Sequence, residues 1–238
     1  MLNEMKLRLL ERFGFKKSIT SKSSFSQSGE DLIVKYLFDW RNQVNINYMD
    51  IGAYHPININ NTYLFYSNGS SGINIDGNSD SIIHFNEIRK RDINLHLYIS
   101  DLIEEKVFFK FNAKTLNTID EKEVENVLSQ GKYKLIGNEK IITTTINDVW
   151  YTYGNNKKNL DFLSIDVEGF DFKILKSIDF DLLFPRIICV ESVEFSEVEF
   201  GKKNIELIDY LKTAGYFHYA DTYVNSIFVK NDFLSDIF

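Results

Sequence analysis

The 238-residue chain has a single cysteine, Cys189, and only two prolines. One cysteine rules out an intrachain disulfide and gives no reason to place the fold in an oxidising compartment. Lying inside the apolar run "RIICVES", Cys189 is expected to be a buried structural thiol rather than a nucleophile. No apolar run approaches the roughly 18 to 20 residues that cross a bilayer, so no transmembrane segment is expected and the cytoplasm is the default location. The first seventeen residues place Leu2, Met5, Leu9 and Phe13 at helical spacing, but Glu4 and Glu11 interrupt them and a signal-peptide core is lacking. No run of five or six like charges occurs, and the net charge of −7 is the reverse of a nucleic-acid-binding footprint. The small basic pair Lys157 and Lys158 is expected to solvate a loop.

Core material, by contrast, is plentiful. Hydrophobic residues make up 44% of the chain, with 20 Phe and 13 Tyr, enough to fill a large sheet-based interior. Residues 1–24 read as a helix and a polar linker, and residues 25–238 as one domain. Ser28, followed three residues on by Asp31, resembles a capping box ahead of an apolar helical face, Leu32, Ile33, Tyr36, Leu37 and Trp40. From Asn47, strands alternate with helices: "INYMDIG", then "SGINIDG" and the helix "SDSIIHFNEIRKR", capped by Ser79 or Asp80, then "INLHLYISD" as a third strand. Residues 104–153 break this rhythm and read as an accessory hairpin or lid insertion, "KVFFKFN" against "EKIITTTIND". The alternation resumes with "LDFLSIDVEG", "FDFKILKSI", "RIICVES" and "NIELIDYLKTAG", and closes with a hairpin. This pattern predicts an α/β Rossmann-like fold: a mainly parallel seven-stranded sheet with an antiparallel strand near one edge and helices on both faces.

Open parallel sheets bind ligands beyond the carboxyl ends of their strands. Each predicted end holds an acid: Asp50 with Gly52, Asp76, Asp101, Asp166 with Glu168, and Glu191. Asp76 follows Asp50 by 26 residues, where an acid should hydrogen-bond the ribose hydroxyls of an adenosine. Asp101 is placed to meet the adenine edge. The turn after Asp50, "DIGAYHP", lacks the second and third glycines of a pyrophosphate cradle. An adenosine ligand without phosphates fits better, and S-adenosylmethionine is the common one. Asn61 and Thr62, opening the next helix, could bind its carboxylate.

Taken together and in order, "FSQSGEDLIVKYLF", "MDIGAYHPININNTYLFY", "INIDGN", "RDINLHLYISD" and "LDFLSIDVEGFDFKILKSIDF" resemble the FkbM family of S-adenosylmethionine-dependent methyltransferases, over roughly residues 25–192. The resemblance implies a Rossmann-like methyltransferase fold and O-methylation of a sugar, polysaccharide or secondary-metabolite hydroxyl. It assigns Asp50 and Gly52 to the cofactor turn, Asp76 to the ribose and Asp101 to the adenine region. The insertion departs from the match and leaves the acceptor, a small molecule or saccharide, open.

Methyl transfer needs a positioned hydroxyl and an exit for its proton. Asp166 and Glu168, two residues apart, would share one face of an extended segment. Two roles compete: with Glu191 they could hold Mg2+, or one could serve as base with its pKa raised by the other. Glu168 could equally do no more than order the turn. His55 is the other candidate base, with shaping the turn as its alternative role. The competing functions are a metal-dependent glycosyltransferase using the Asp-Val-Glu stretch and a non-catalytic S-adenosylmethionine-binding module. A homo-oligomer is compatible with the sequence.

Overall fold

The computed structural model describes residues 22–154, 159–167, 169–193 and 201–234. The helix expected before residue 22, Lys157 with Lys158, and Glu168 lie outside the described residues. Ten strands are described: β1 (Asn47–Ile51), β2 (Ser71–Asp76), β3 (Ile93–His96), β4 (Tyr98–Ile99), β5 (Glu105–Phe111), β6 (Leu135–Thr144), β7 (Phe162–Ile165), β8 (Ile187–Glu191), β9 (Tyr216–Asp221) and β10 (Asn225–Lys230). The helices are α1 (Glu30–Trp40), α2 (Tyr63–Ser67), α3 (Ser79–Ile88), α4 (Glu121–Ser129), α5 (Ile146–Tyr153), α6 (Asp171–Ser177), α7 (Ile205–Thr213) and α8 (Asn231–Leu234).

Seven strands form one sheet in the order β3-β2-β1-β7-β8-β10-β9. The first five are parallel to their neighbours, and β10 runs antiparallel to both β8 and β9. The mainly parallel sheet with an antiparallel strand near one edge is therefore as predicted. Strand order reverses direction between β1 and β7, which opens a crevice at their carboxyl ends.

Side-chain alternation along each strand divides the interior into two layers. Met49, Ile51, Leu163, Ile165, Ile188 and Val190 face α5, α6 and α7 through Val149, Leu175 and Leu211. Tyr48, Phe162, Ile187 and Cys189 face α1 and α2 through Val34, Phe38 and Phe65. Cys189 is buried, as expected of a structural thiol. On the same side of the sheet, Arg89 is fully buried. It pairs with Asp92 at 2.8 Å and donates to Tyr48, Thr62 and the Pro56 carbonyl. Such a pair is costly to break from one side, because the remaining charge has no water.

Three local readings are corrected. The start of α1 is not a capping box: its N-cap is Gly29 at φ 92°, and Ser26 Oγ accepts the Gly29 N–H. Asp31 turns back instead to accept from Phe25 N and the Ser24 and Ser26 hydroxyls. The cap of α3 is Asn78, accepting from Asp80 N, rather than Ser79 or Asp80. "INLHLYISD" is not one strand. It leaves the main sheet after His96, and Tyr98–Ile99 joins a second, three-stranded sheet ordered β4-β6-β5. In that sheet β5 and β6 pair antiparallel, and the polar stretch between them contains α4.

Candidate functional site

A cavity of about 380 Å³ opens at the carboxyl ends of β2, β1, β7 and β8, within the size range of small-molecule sites. Its floor comes from the strand ends (Ile51, Gly52, Asp76, Asp166 and Glu191) and one wall from the accessory segment (Phe108, Leu116 and Thr118).

Gly52 is required at the floor for two reasons. Its φ is +79°, and a Cβ built on it would lie 1.7 Å from the Asp166 carbonyl oxygen. The turns after β1 and β7 are thus pressed together, with Gly52 N donating to Ile75 O and Asp166 N to Ile51 O. The two residues that continue the cavity wall are strained as well: Tyr54 at φ 54° and Ile59 at φ 51°, a conformation a β-branched residue rarely adopts. Such strain persists only where surrounding structure imposes it, and it clusters at functional sites.

Asp76 ends β2 with both carboxylate oxygens fixed by backbone. Oδ2 accepts from Tyr54 N at 2.7 Å and Oδ1 from Asn78 N at 2.6 Å. Each oxygen keeps lone-pair capacity toward the cavity. Burial raises its pKa, while those two N–H bonds oppose the rise. Beside it, Gly77 lies so close to Tyr98 that an added Cβ would meet the ring at 2.8 Å. Tyr98 in turn packs on Phe108, with centroids 4.9 Å apart. The result is an aromatic wall next to Asp76, its two rings tilted 59° to each other.

Asp166 is open to the cavity, yet protein surrounds it on its other sides. Burial first, and then the charges of Asp171, Asp50 and Glu30, push its pKa up to about 7. Water in the cavity screens part of that effect. Asp171, at the start of α6, accepts from Val167 N at 3.1 Å and so ties down the turn that carries Asp166. Burial raises its pKa to about 6 against the opposing N–H groups of Val167, Asp171 and Gly169. Glu30 is buried too, but hydrogen bonds from Thr222, its own N–H, Ser28 and Asn225 outweigh desolvation and hold its pKa below the ordinary value. It is a fixed buried anion.

The other expected site residues fall in different places. Asp50 lies beneath the turn, where Asn60 and Thr62 donate to its Oδ2, each at 3.0 Å; burial raises its pKa. Thr62 is consumed in that contact, and Asn61 donates to Ser164 Oγ. Neither lines the cavity among the described residues. His55 Nδ1 accepts from Ile57 N and Asn58 N, so the ring closes the turn. Its pKa is lowered by burial and then by His84. Asp101 accepts from Ser100 Oγ and does not face the cavity, because the chain leaves the main sheet at Leu97, ahead of it. Asp166 and Glu191 both line the cavity, while Glu168 lies outside the described residues. Among the described residues, no group of three His, Cys, Asp or Glu side chains is placed to hold a metal ion. No helix among them is long and apolar enough to cross a membrane.

Several lining residues carry no sequence signal that would have singled them out. Ile59 adopts left-handed backbone without being glycine, and Tyr98 was hidden inside an apparently continuous strand. Gln27 lies within "FSQSGED", whose two acids, Glu30 and Asp31, are both buried.

The family profile described as "Methyltransferase FkbM domain" matches residues 50–217. No curated protein matches the chain. Among solved structures, one from Staphylococcus aureus, provisionally described as a caffeoyl-CoA O-methyltransferase, is similar at 12% identity and a TM-score of 0.47. That alignment covers 97% of this chain and 100% of the other.

Proposed function

The chain belongs to the FkbM methyltransferase family, and on that premise we propose that it transfers the methyl group of S-adenosylmethionine to a hydroxyl of a small-molecule or saccharide acceptor. The observation that carries this reading is Asp76, pinned by two backbone N–H groups at the end of β2 and facing the cavity shared by Gly52 and Asp166. A carboxylate so oriented can accept from both hydroxyls of a ribose. The Tyr98–Phe108 wall beside it offers a surface for the adenine ring. We give the role expected of Asp101 to Tyr98 and Phe108 instead.

The electrostatics favour a cationic ligand over a phosphate. Asp76, Asp166 and Glu191 line the cavity, and Asp171, Asp50 and the ionised Glu30 lie close enough to Asp166 to push its pKa up further after burial. A pyrophosphate would be repelled there. A sulfonium and an ammonium would be drawn in, each gaining on the order of 4 kcal/mol from a carboxylate about 4 Å away at a near-surface dielectric.

When bound, S-adenosylmethionine supplies an electrophilic methyl whose S–C bond breaks as the C–O bond forms, leaving a neutral thioether. Asp166 orients the acceptor hydroxyl and takes its proton. A pKa near 7 suits a base working at neutral pH. Asp171 holds Asp166 in place, and Gly52 lets the two turns approach closely enough to frame the reacting atoms. His55 shapes the turn and takes no proton. The buried thiol of Cys189 requires no oxidising compartment, and we assign the reaction to the cytoplasm.

The glycosyltransferase reading gives way to the family match. Thermal shift separates the two directly. S-adenosylhomocysteine should raise the melting temperature, and UDP-glucose with manganese should leave it unchanged; the opposite pattern would refute the proposal. Tight S-adenosylmethionine binding with no S-adenosylhomocysteine released in the presence of any acceptor would support a non-catalytic module instead.

A further inference from the structure

Residues 25–30, which lead into α1, tie two distant parts of the sheet together. Phe25 O accepts Asn60 N at 2.9 Å, and Asn60 in turn donates to Asp50 on β1. The Phe25 ring meets Tyr63 edge-on, with centroids 4.7 Å apart, and Phe25 N donates to the buried Asp31 at 2.7 Å. At the other end, Glu30 accepts from Thr222 Oγ1 at 2.7 Å and from Asn225 Nδ2 at 3.1 Å, where β10 starts. Because the sheet runs β1-β7-β8-β10, this arch passes over the carboxyl ends of β7 and β8, where Asp166 and Glu191 line the cavity. Gln27 lies midway along the arch and is its one residue in the described lining. Its neighbours are spent on holding the arch: Ser26 Oγ accepts Gly29 N, and Ser28 N donates to Glu30. The Gln27 amide has no hydrogen-bond partner among the described residues.

We propose that the Gln27 side-chain amide donates to the α-carboxylate of S-adenosylmethionine and so fixes the amino-acid end of the donor. The proposal rests on the methyltransferase reading above. That end of the ligand is a zwitterion: strand-end acids suit its ammonium, and the sulfonium beside it, but oppose its carboxylate. The carboxylate therefore needs N–H donors. Lys114 is the one cation in the described lining, and it pairs with Asp80 at 2.9 Å. The other lining amides lie at the adenosine end, Asn78 beside Asp76 and Asn117 on the accessory segment. Asn61 and Thr62, expected for this role, donate to Ser164 and Asp50 instead. With the ribose on Asp76, the rest of the ligand extends across Gly52 toward Asp166 and comes under Gln27. A side chain carried on a pinned arch loses less freedom on binding than one on a loose loop.

Calorimetry on the full chain tests this with two ligands, S-adenosylhomocysteine and its decarboxylated analogue S-adenosyl-3-thiopropylamine, which keeps the adenosine and the ammonium. Gln27→Ala should weaken S-adenosylhomocysteine by about tenfold, the loss of a hydrogen bond to a charged group, and leave the analogue within about twofold. The analogue is the control, since a disturbed arch would weaken both ligands. Gln27→Glu sets a carboxylate against a carboxylate. It should weaken S-adenosylhomocysteine by about a hundredfold and leave the analogue no weaker. Equal losses for the two ligands, an S-adenosylhomocysteine Kd unchanged in Gln27→Ala, or one tightened by Gln27→Glu would overturn the proposal and leave the cofactor reading intact. A wild-type chain that binds neither ligand would overturn both.

Discussion

Asp166→Asn removes the one cavity carboxylate whose pKa lies near neutrality, and it should separate the binding of S-adenosylmethionine from that of S-adenosylhomocysteine. The Asp166 pKa is raised to about 7 by burial and then by Asp171, Asp50 and Glu30. In the folded, unliganded protein the carboxyl therefore holds its proton up to near pH 7, whereas an unfolded chain releases it near pH 4. Stability from this group is full below about pH 4 and is lost as pH rises toward 7, because between those values the folded state binds more protons. Full enclosure would make that loss about 4 kcal/mol; with water entering the cavity we expect about 2 kcal/mol. A sulfonium nearby reverses the preference, since it interacts with the ionised form. About a tenth of Asp166 is ionised at pH 6 and about nine-tenths at pH 8, so the S-adenosylmethionine Kd should tighten about tenfold across that range. S-adenosylhomocysteine shares the amino-acid and adenosine groups but has a neutral thioether, so its Kd should change much less. Calorimetry at pH 6, 7 and 8, in two buffers of different ionisation enthalpy, measures both the slope and the proton released. In Asp166→Asn the extra slope should vanish, leaving only what Asp171 contributes. Parallel slopes for the two ligands, or a tenfold slope persisting in Asp166→Asn, would refute the assignment of Asp166 beside the sulfonium.

Gly52→Ala forces a Cβ to within 1.7 Å of the Asp166 carbonyl at a φ of +79°; urea unfolding should show a loss of about 2–4 kcal/mol, with the m-value unchanged. Asp76→Ala leaves two backbone N–H groups without their acceptor and removes the ribose partner. S-adenosylhomocysteine affinity should fall by about a hundredfold while the fold persists by circular dichroism. His55→Asn keeps a side-chain acceptor for Ile57 and Asn58, so kcat should stay within about threefold, whereas loss of a true base costs roughly a hundredfold or more. Exhaustive chelation should leave turnover unchanged if Asp166 is the base. Loss of activity restored by magnesium would give the role instead to a metal held at Asp166 and Glu191.

The sheet was legible because its determinants are local. The apolar runs Tyr48–Ile51, Phe162–Ile165 and Ile187–Val190 each end in an acid or glycine, and that punctuation marks strand ends whatever lies across from them. Asp76 was legible for a similar reason: a βαβ unit fixes the distance along the chain between the turn and the ribose contact. Pairings across long separations were not legible. Nothing near Asp50 announces that Asn60 and Thr62 will cap its carboxylate, or that Arg89 will be buried beside it. The departure at Leu97 depends on β6, some forty residues downstream, which offers Tyr98 and Ile99 a partner where α/β alternation would keep them in the main sheet. Once they leave, Asp101 is carried away from the cavity and Tyr98 is brought into it.

That detour bears on how the acidic site is kept. A fold that gathers Asp50, Asp76, Asp166, Asp171 and Glu30 at one end of a sheet raises the free energy of its own empty state, since burial lifts the four aspartates and neighbouring carboxylates lift Asp76 and Asp166 further. The offsets seen are local and specific: two N–H groups on Asp76, four donors on Glu30, the Val167 N–H on Asp171 and the buried Arg89 near Asp50. Asp166 is the member with the least compensation: among the described residues no hydrogen bond is seen to lower its pKa, and it faces the cavity. The uncompensated charge thus sits where a cationic ligand can neutralise it. In the complex we propose, binding energy that a phosphate site draws from backbone N–H groups would come instead from giving the buried Asp166 carboxylate a cationic partner. The relief also has a direction. In the reaction we propose, Asp166 again favours its proton once the sulfonium has become a thioether, the proton the acceptor hydroxyl gives up. The product has lost the sulfonium and keeps only its ammonium, so the charge arrangement that draws the donor in holds the product less tightly and favours its release after transfer.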